Sequence, residues 1–558
     1  MTRLLIAGIL GSLLTVVQIP GTQETIAVAE LAASPGHVPA STMAPQNNIR
    51  MADRFPGSDL GAKINAADKD LGSGTGEIRV TSSGTIATPV ALTPNHTLAL
   101  LAATTWDAGI ALANGTTITG NGAASPLTIS LSTAGSFIHG ADVSNVRIVN
   151  LVASAKPGKP NYDLVSVAGS GRVTVSNCKV TNMHLFASGS TVRGYGAVTD
   201  ANSSHNITLT GNVATADTRL AGGAILISYT QGATISGNKI DNFDHGVQWW
   251  GGDSCVGKCV AGGNGALTNE RKVQNLVIDR NAVSNVVGGI WGSMGQNIYV
   301  TNNTVTNCED VCLDSEGGNS VTFSHNTVRD GTNGALATFW LNRDITFDDN
   351  TVTSTSSKKP LFRIHNATQN PALNRNVTLN GNQFSCLDRA ICSIDSEGGP
   401  VGQIAFTRNT LKNTKIYLAV DNEHIIDVEN NDLLFDISSS VPFSAIGVGR
   451  TNQIARQPGW VKIANNTVRS EATQPPGSQA IMVVQSDFNS SPVTTIQNNQ
   501  LIGSHPFPID IEVLANSANP GVTPAFVITG NTLGSGKILP HAGKTGKISV
   551  RNANNRIS

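Results

Sequence analysis

Composition and charge narrow the possibilities before any motif does. The 558-residue chain holds 57 Gly, only 5% aromatic and 13% charged residues, and carries a formal net charge of −1. That balance gives nucleic acid no basic field to bind. Length alone suggests several domains, but so many small residues with so few aromatics suit thin, narrow layers.

Residues 1–29 read as a secretory signal. Arg3 supplies the positive start, Leu4–Val17 an apolar run, and Ala27-Val28-Ala29 a small-x-small cleavage site. The run falls short of the roughly 20 residues that span a bilayer, and no second run of spanning length follows. The mature chain is therefore expected to be exported, to the periplasm or outside the cell, without a membrane span. The rival reading is an uncleaved anchor. Residues 30–50, rich in Ala, Pro and Ser, read as a flexible linker.

Residues 51–135 read as an N-terminal cap with the first coils. Leu60, Ile64 and Ala67 share one face of a short helix starting near Asp59, ended by Gly72–Gly76. Strands Glu77–Val80 and Thr97–Leu101 follow. A helix here covers the open end of a solenoid. Asp53-Arg54-Phe55-Pro56-Gly57, Leu60–Ala67, GTGEIRV and TPVAL resemble the N-terminal segment of the pectate-lyase-like superfamily of right-handed parallel β-helix proteins. The resemblance spans about residues 53–101, and the repeats that follow extend it over most of the chain. It implies a right-handed parallel β-helix. It is poorly specific for chemistry, because the superfamily holds lyases, hydrolases, epimerases, tailspikes and adhesins.

Residues 136–558 repeat. Short alternations of apolar residues end in an Asn, among them IYVTNN303, VTFSHN326 and ITFDDN350, whose Asn residues stand 23 and 24 apart (326 − 303 and 350 − 326). Alternation is the period of a strand with one buried face, and a fixed spacing of this size marks a solenoid. The Asn is expected to turn the corner, since it tolerates left-handed backbone angles, and to stack along the axis. The fold class is all-β: a single-stranded right-handed parallel β-helix with a short capping helix, continuous with residues 51–135. Longer repeats mark loops at Gly251–Arg271, Ser356–Pro360, Asn366–Arg375, Ser438–Trp460 and Glu471–Ser478, the first of them a candidate cleft wall.

Six of the seven cysteines form near-neighbour pairs, read as disulfides Cys255–Cys259, Cys308–Cys312 and Cys386–Cys392, with Cys178 a buried thiol. Such pairs fit an oxidising compartment. Pairing across neighbouring coils stays open, and His and Cys are not clustered as in zinc fingers.

The second strands of successive coils carry the candidate site. If Val311 and Leu313 point in, then Cys312, Asp314 and Glu316 point out. The same rule puts Trp249 or Trp250, Trp291, Trp340, Arg363, His365, Asp395 and Glu397 on one outer face, with coils about 4.8 Å apart. Trp faces stack on sugar rings, and carboxylates transfer protons. Asp314 and Glu316 are the expected catalytic pair, with Trp249, Trp250, Trp291, Trp340, Arg363, His365, Asp395 and Glu397 holding substrate. The bland reading makes DSEGG, present at Asp314–Gly318 and Asp395–Gly399, only a turn. His245 and His325 read as corner residues, and Asp241, Asp244 and Asp253 offer only a weak calcium signal.

The signatures of polygalacturonases, pectate lyases and alginate epimerases are missing as sets, so no catalytic residue carries over from the superfamily. The expected function is glycosidic bond cleavage in a polysaccharide, by hydrolysis, with no cofactor or metal. Alternatives are a polysaccharide lyase, for which Ca²⁺ would matter, and a non-catalytic adhesin or surface structural protein. A homotrimer lacks any heptad or apolar seam to support it.

Overall fold

A computed structural model describes residues 48–156, 161–192, 197–252, 271–339, 341–365, 374–397, 403–418, 425–449, 460–486, 493–516, 523–543 and 547–558. The expected signal and nearly all of the expected linker lie outside these residues. Ile49 and Arg50, expected in the linker, instead open the first strand, Ile49–Met51.

The cap forms where the spacing predicts it, as helix Leu60–Leu71. Asp59 caps it, accepting from Ala62 N at 2.8 Å. The other Asp59 oxygen accepts from Ala87 N and Thr88 N, each at 2.6 Å. One carboxylate thereby ties the helix start to the first coils. Leu60, Ile64 and Ala67 are buried, and Gly72 ends the helix at φ 70°.

Each regular coil contributes three strands. In the coil that carries the candidate site, Gly295–Thr301 lies in one sheet, and Thr304–Cys308 and Val311–Glu316 lie in the other. Each pairs in parallel with its counterpart one coil on. Alternate residues enter one continuous apolar core, where Phe323 and Phe347 stack at 4.9 Å.

The corner after the first strand uses two residues where the sequence suggested one. The residue before each repeat Asn takes the left-handed conformation: Asn302 and His325 at φ 56°, Asp349 at φ 50°. These side chains are exposed, so polar residue types suffice there. The next position points inward, and its Asn makes the ladder. Asn326 Oδ1 accepts from Asn303 N at 2.9 Å and Asn303 Nδ2 at 3.0 Å, while Asn326 Nδ2 donates to Asn350 Oδ1 at 3.0 Å. The chain of amides runs unbroken from Asn212 to Asn555. One coil earlier Asn177 is the left-handed residue and Cys178 holds the ladder position, its N donating to Asn212 Oδ1 at 2.9 Å. The Cys178 thiol is free and buried, and burial pushes its pKa up to about 12.

Cys308–Cys312 and Cys386–Cys392 are disulfide-bonded. Cys255–Cys259 lies outside the described residues. No helix among the described residues is long and apolar enough to cross a membrane.

Trp249 corrects an expectation. The sequence pattern puts it on the outer face, yet it is 0% exposed and belongs to the core. The narrow interior admits an indole because the next coil offers glycine beneath it. A Cβ added at Gly292 would stand 2.4 Å from the Trp249 ring, and one at Gly295 2.7 Å from its Nε1. Gly292→Ala is therefore expected to destabilise the fold by about 1–3 kcal/mol through overpacking. Urea unfolding would register it as a lowered midpoint with an unchanged slope.

Candidate active site

The site strand Val311–Glu316 departs from strict alternation where it leaves the corner. Cys312 and Leu313 are consecutive and both belong to the core. Ala224-Ile225, Ala335-Leu336 and Leu361-Phe362 repeat the pattern in other coils. Val311 consequently packs outside that core, with Ala337 and Phe339 in a small separate cluster. The expectation that Val311 points in and Cys312 out is thus reversed, because a corner bend resets the phase. From Leu313 onward alternation resumes, so Asp314 and Glu316 do face outward.

Register then stacks side chains along the axis. One column reads Gln248, Trp291, Asp314, Ala337, Arg363, Asp395, Tyr417. Beside it run Trp250, Ser293, Glu316, Phe339, His365 and Glu397. Trp250, Trp291, Glu316, Arg363 and Asp395 are half-buried. The backbones of His365 and Glu397 are in place, but their side chains, and all of Trp340, lie outside the described residues. Asp395 stands three strand steps from Asp314, roughly 14–15 Å along the axis.

A third line borders these columns at the corner. Val287 N donates to Asp244 O, Asp310 N to Val287 O, and Asn333 N to Asp310 O, each at 2.9 Å. Asp244, Val287, Asp310 and Asn333 therefore stack one above another. The Cys308–Cys312 disulfide brackets Asp310, and neighbouring Glu309 pairs with Arg219 at 2.9 Å. Arg363 Nη1 donates to Asn333 Oδ1. His245 sits in register with Gly288, its ring and that of Trp291 in an edge-to-face arrangement at 5.0 Å and 64°.

Asp314 is the most perturbed group here. It is 4% exposed, and its Oδ1 has no hydrogen-bond partner among the described residues. Burial first, then the charges of Glu316 and Asp310, hold its pKa well above the usual carboxylate range. Burial also lowers the pKa of His245, outweighing the opposite pull of Asp244 and Asp310. Asp314 is thus a proton donor at pH values where an ordinary aspartate is spent, with a second carboxylate two residues on.

The residues between and after these two make the turn. Ser315 Oγ donates to Asn342 Oδ1 at 2.8 Å, and Gly318 N donates to the same oxygen at 2.7 Å. A Cβ at Gly318 would stand 2.3 Å from Ser315 Oγ. Both readings of DSEGG therefore apply, to different residues: Ser315 and Gly318 build the turn, and Asp314 and Glu316 project from it.

Sequence reasoning missed Asp310 and set His245 aside. The signal for Asp310 was its place inside CEDVC, where a disulfide fixes the corner beside the outer face. For His245 it was its position just before GVQWW, at the same corner. Among the described residues no group of His, Cys, Asp and Glu has the arrangement of a metal site.

A family model described as the right handed beta helix region matches residues 105–352, which include the site strand. No curated protein sequence matches the chain. Among solved structures, the A-module of a mannuronan C-5 epimerase from Azotobacter vinelandii is similar at TM-score 0.50 and 13% identity, over 69% of this chain and 99% of that one. An exopolygalacturonase of Yersinia enterocolitica is similar at TM-score 0.40 and 15% identity, over 71% and 79%. The DFA-IIIase of Arthrobacter chlorophenolicus A6 reaches TM-score 0.34 at 14% identity, over 77% and 96%. At such identities the likeness is one of winding. The chain folds as a right-handed parallel β-helix.

Proposed function

We propose that this protein is an exported enzyme that hydrolyses glycosidic bonds in a polysaccharide laid along the outer face of the site strand. One observation carries the reading: a buried carboxyl at Asp314, one oxygen of which has no hydrogen-bond partner among the described residues and whose pKa burial holds well above the usual carboxylate range, with Glu316 projecting from the same face. Asp314 donates its proton to the glycosidic oxygen as the bond to the anomeric carbon breaks. Glu316 either takes a proton from the attacking water or first bonds the anomeric carbon, to be displaced by water afterwards. Trp291 and Trp250 offer ring faces to the sugar, and Arg363 and Asp395 offer polar contacts further along. Two disulfides support an oxidising compartment.

Incubation with a polysaccharide panel is expected to release reducing ends without ultraviolet-absorbing unsaturated ends. Glu316→Gln is expected to cut that rate about 10²–10⁴-fold. Unsaturated ends that vanish on chelation would favour a lyase. Binding without cleavage would favour an adhesin. Full activity in Glu316→Gln would remove the assignment of that residue.

A further inference from the structure

Resting on the reading above, we infer that the sugar ring held at the cleavage centre, against Trp291 and Asp314, is a neutral one, bearing a hydroxymethyl group or hydrogen and no carboxylate. The charges that bear on that centre share one sign. Asp310 and Glu316 are the charges that bear on Asp314, and Asp244 and Asp310 those that bear on His245. All of them are acids. The corner ladder sets Asp244 and Asp310 two steps apart, roughly 10 Å, so acids flank the ring position at two heights along the axis. His245 adds no compensating charge near neutral pH, since burial holds it in the neutral form.

Arg363, the cation in the same column, stands two strand steps below Asp314 and is turned to the corner, where it donates to Asn333. It is in register with Asp395 one step further on. A uronate carboxylate at the centre would therefore meet like charge, while the nearest cation of the column serves a neighbouring subsite. Both β-elimination and C5 epimerisation draw a proton from the carbon beside such a carboxylate and need its charge neutralised. The acidic surround opposes both. Hydrolysis of a neutral glycosidic bond needs only a proton donor and a carboxylate partner, which this face offers.

The test uses polymers that differ only in the carboxyl group: polygalacturonate and polymannuronate, each beside its carboxyl-reduced form, together with neutral glucans and xylan. The wild-type protein is expected to cut at least one neutral polymer, at a rate at least about 100-fold above either uronate polymer. Asp310→Asn is expected to narrow that ratio roughly tenfold, because one repelling charge is removed. Asp314→Asn protein, examined by affinity electrophoresis, is expected to be retarded by neutral polymers and not by uronates. Uronate cleavage matching or exceeding neutral cleavage, and lost in Asp314→Asn, would overturn this inference and leave the proposed hydrolase standing. Uronate cleavage that depends on added Ca²⁺ would overturn it as well. Cleavage and retardation by none of the polymers would overturn both.

Discussion

Replacing Asp314 by asparagine is expected to abolish glycan cleavage and, at the same time, to stabilise the protein at neutral pH. The rate is expected to fall about 10²–10⁴-fold, the usual contribution of a positioned proton donor. The stability change follows from linkage. Asp314 keeps its proton in the fold at pH values where the unfolded chain, with the ordinary value of 3.8, has lost it. Between those two values the native state binds more protons than the unfolded state, so native stability falls as pH rises. Asparagine has nothing to lose in that window. The variant should therefore match the wild type in acid, gain on it as pH rises above about 4, and hold a constant advantage beyond the native value. Thermal melts of both proteins across a pH series would measure the difference. A variant less stable than the wild type throughout the series would mean that the Asp314 carboxyl is satisfied in the fold and is no poised donor.

Asn326→Ala is expected to be the most damaging single change to the scaffold. Its side chain serves two neighbouring coils. Oδ1 accepts from Asn303 N and Nδ2, and Nδ2 donates to Val300 O at 2.9 Å and to Asn350 Oδ1 at 3.0 Å. Alanine leaves Asn303 N, Asn303 Nδ2 and Val300 O buried without these partners. Each such group costs about 1–3 kcal/mol, so a loss of about 3 kcal/mol or more is expected. Because coils contact only their neighbours, the damage should spread little along the axis. Amide exchange is expected to quicken around Asn303 and Asn350 and to stay unchanged near Asn499 and Asn531. Uniform loss of protection would show that the ladder couples the whole solenoid.

The residues that are legible in the sequence and those that are not differ in kind. Period-two alternation and the recurring Asn are local signals, and they led to the winding and its register. The helix at Leu60–Leu71 was legible because Asp59 and Gly72 bound a short apolar face. Alternation failed at bends. Cys312 and Leu313 both turn inward, which a strict count of two cannot yield. Trp249 misled for another reason: an aromatic beside Trp250 looked like a platform, and only the opposing Gly292 in the next coil reveals the space that takes it in. The left-handed position fell one residue earlier than expected, because the outward and inward duties of the corner belong to different side chains. His245 reads as a corner residue in the sequence, where such residues usually serve the turn, and nothing in the sequence marks Asp310 beyond its place in CEDVC. Their relation to Asp314 depends on stacking across coils, which no single repeat displays.

Crystals of the Asp314→Asn protein soaked with an oligosaccharide released by the wild type would test the central claim most directly. The account predicts a sugar ring against Trp291, with a glycosidic oxygen within hydrogen-bond reach of position 314 and Glu316 beside the anomeric carbon. An oligosaccharide seated elsewhere, such as on the opposite sheet beside the exposed Trp460, with position 314 untouched, would contradict it.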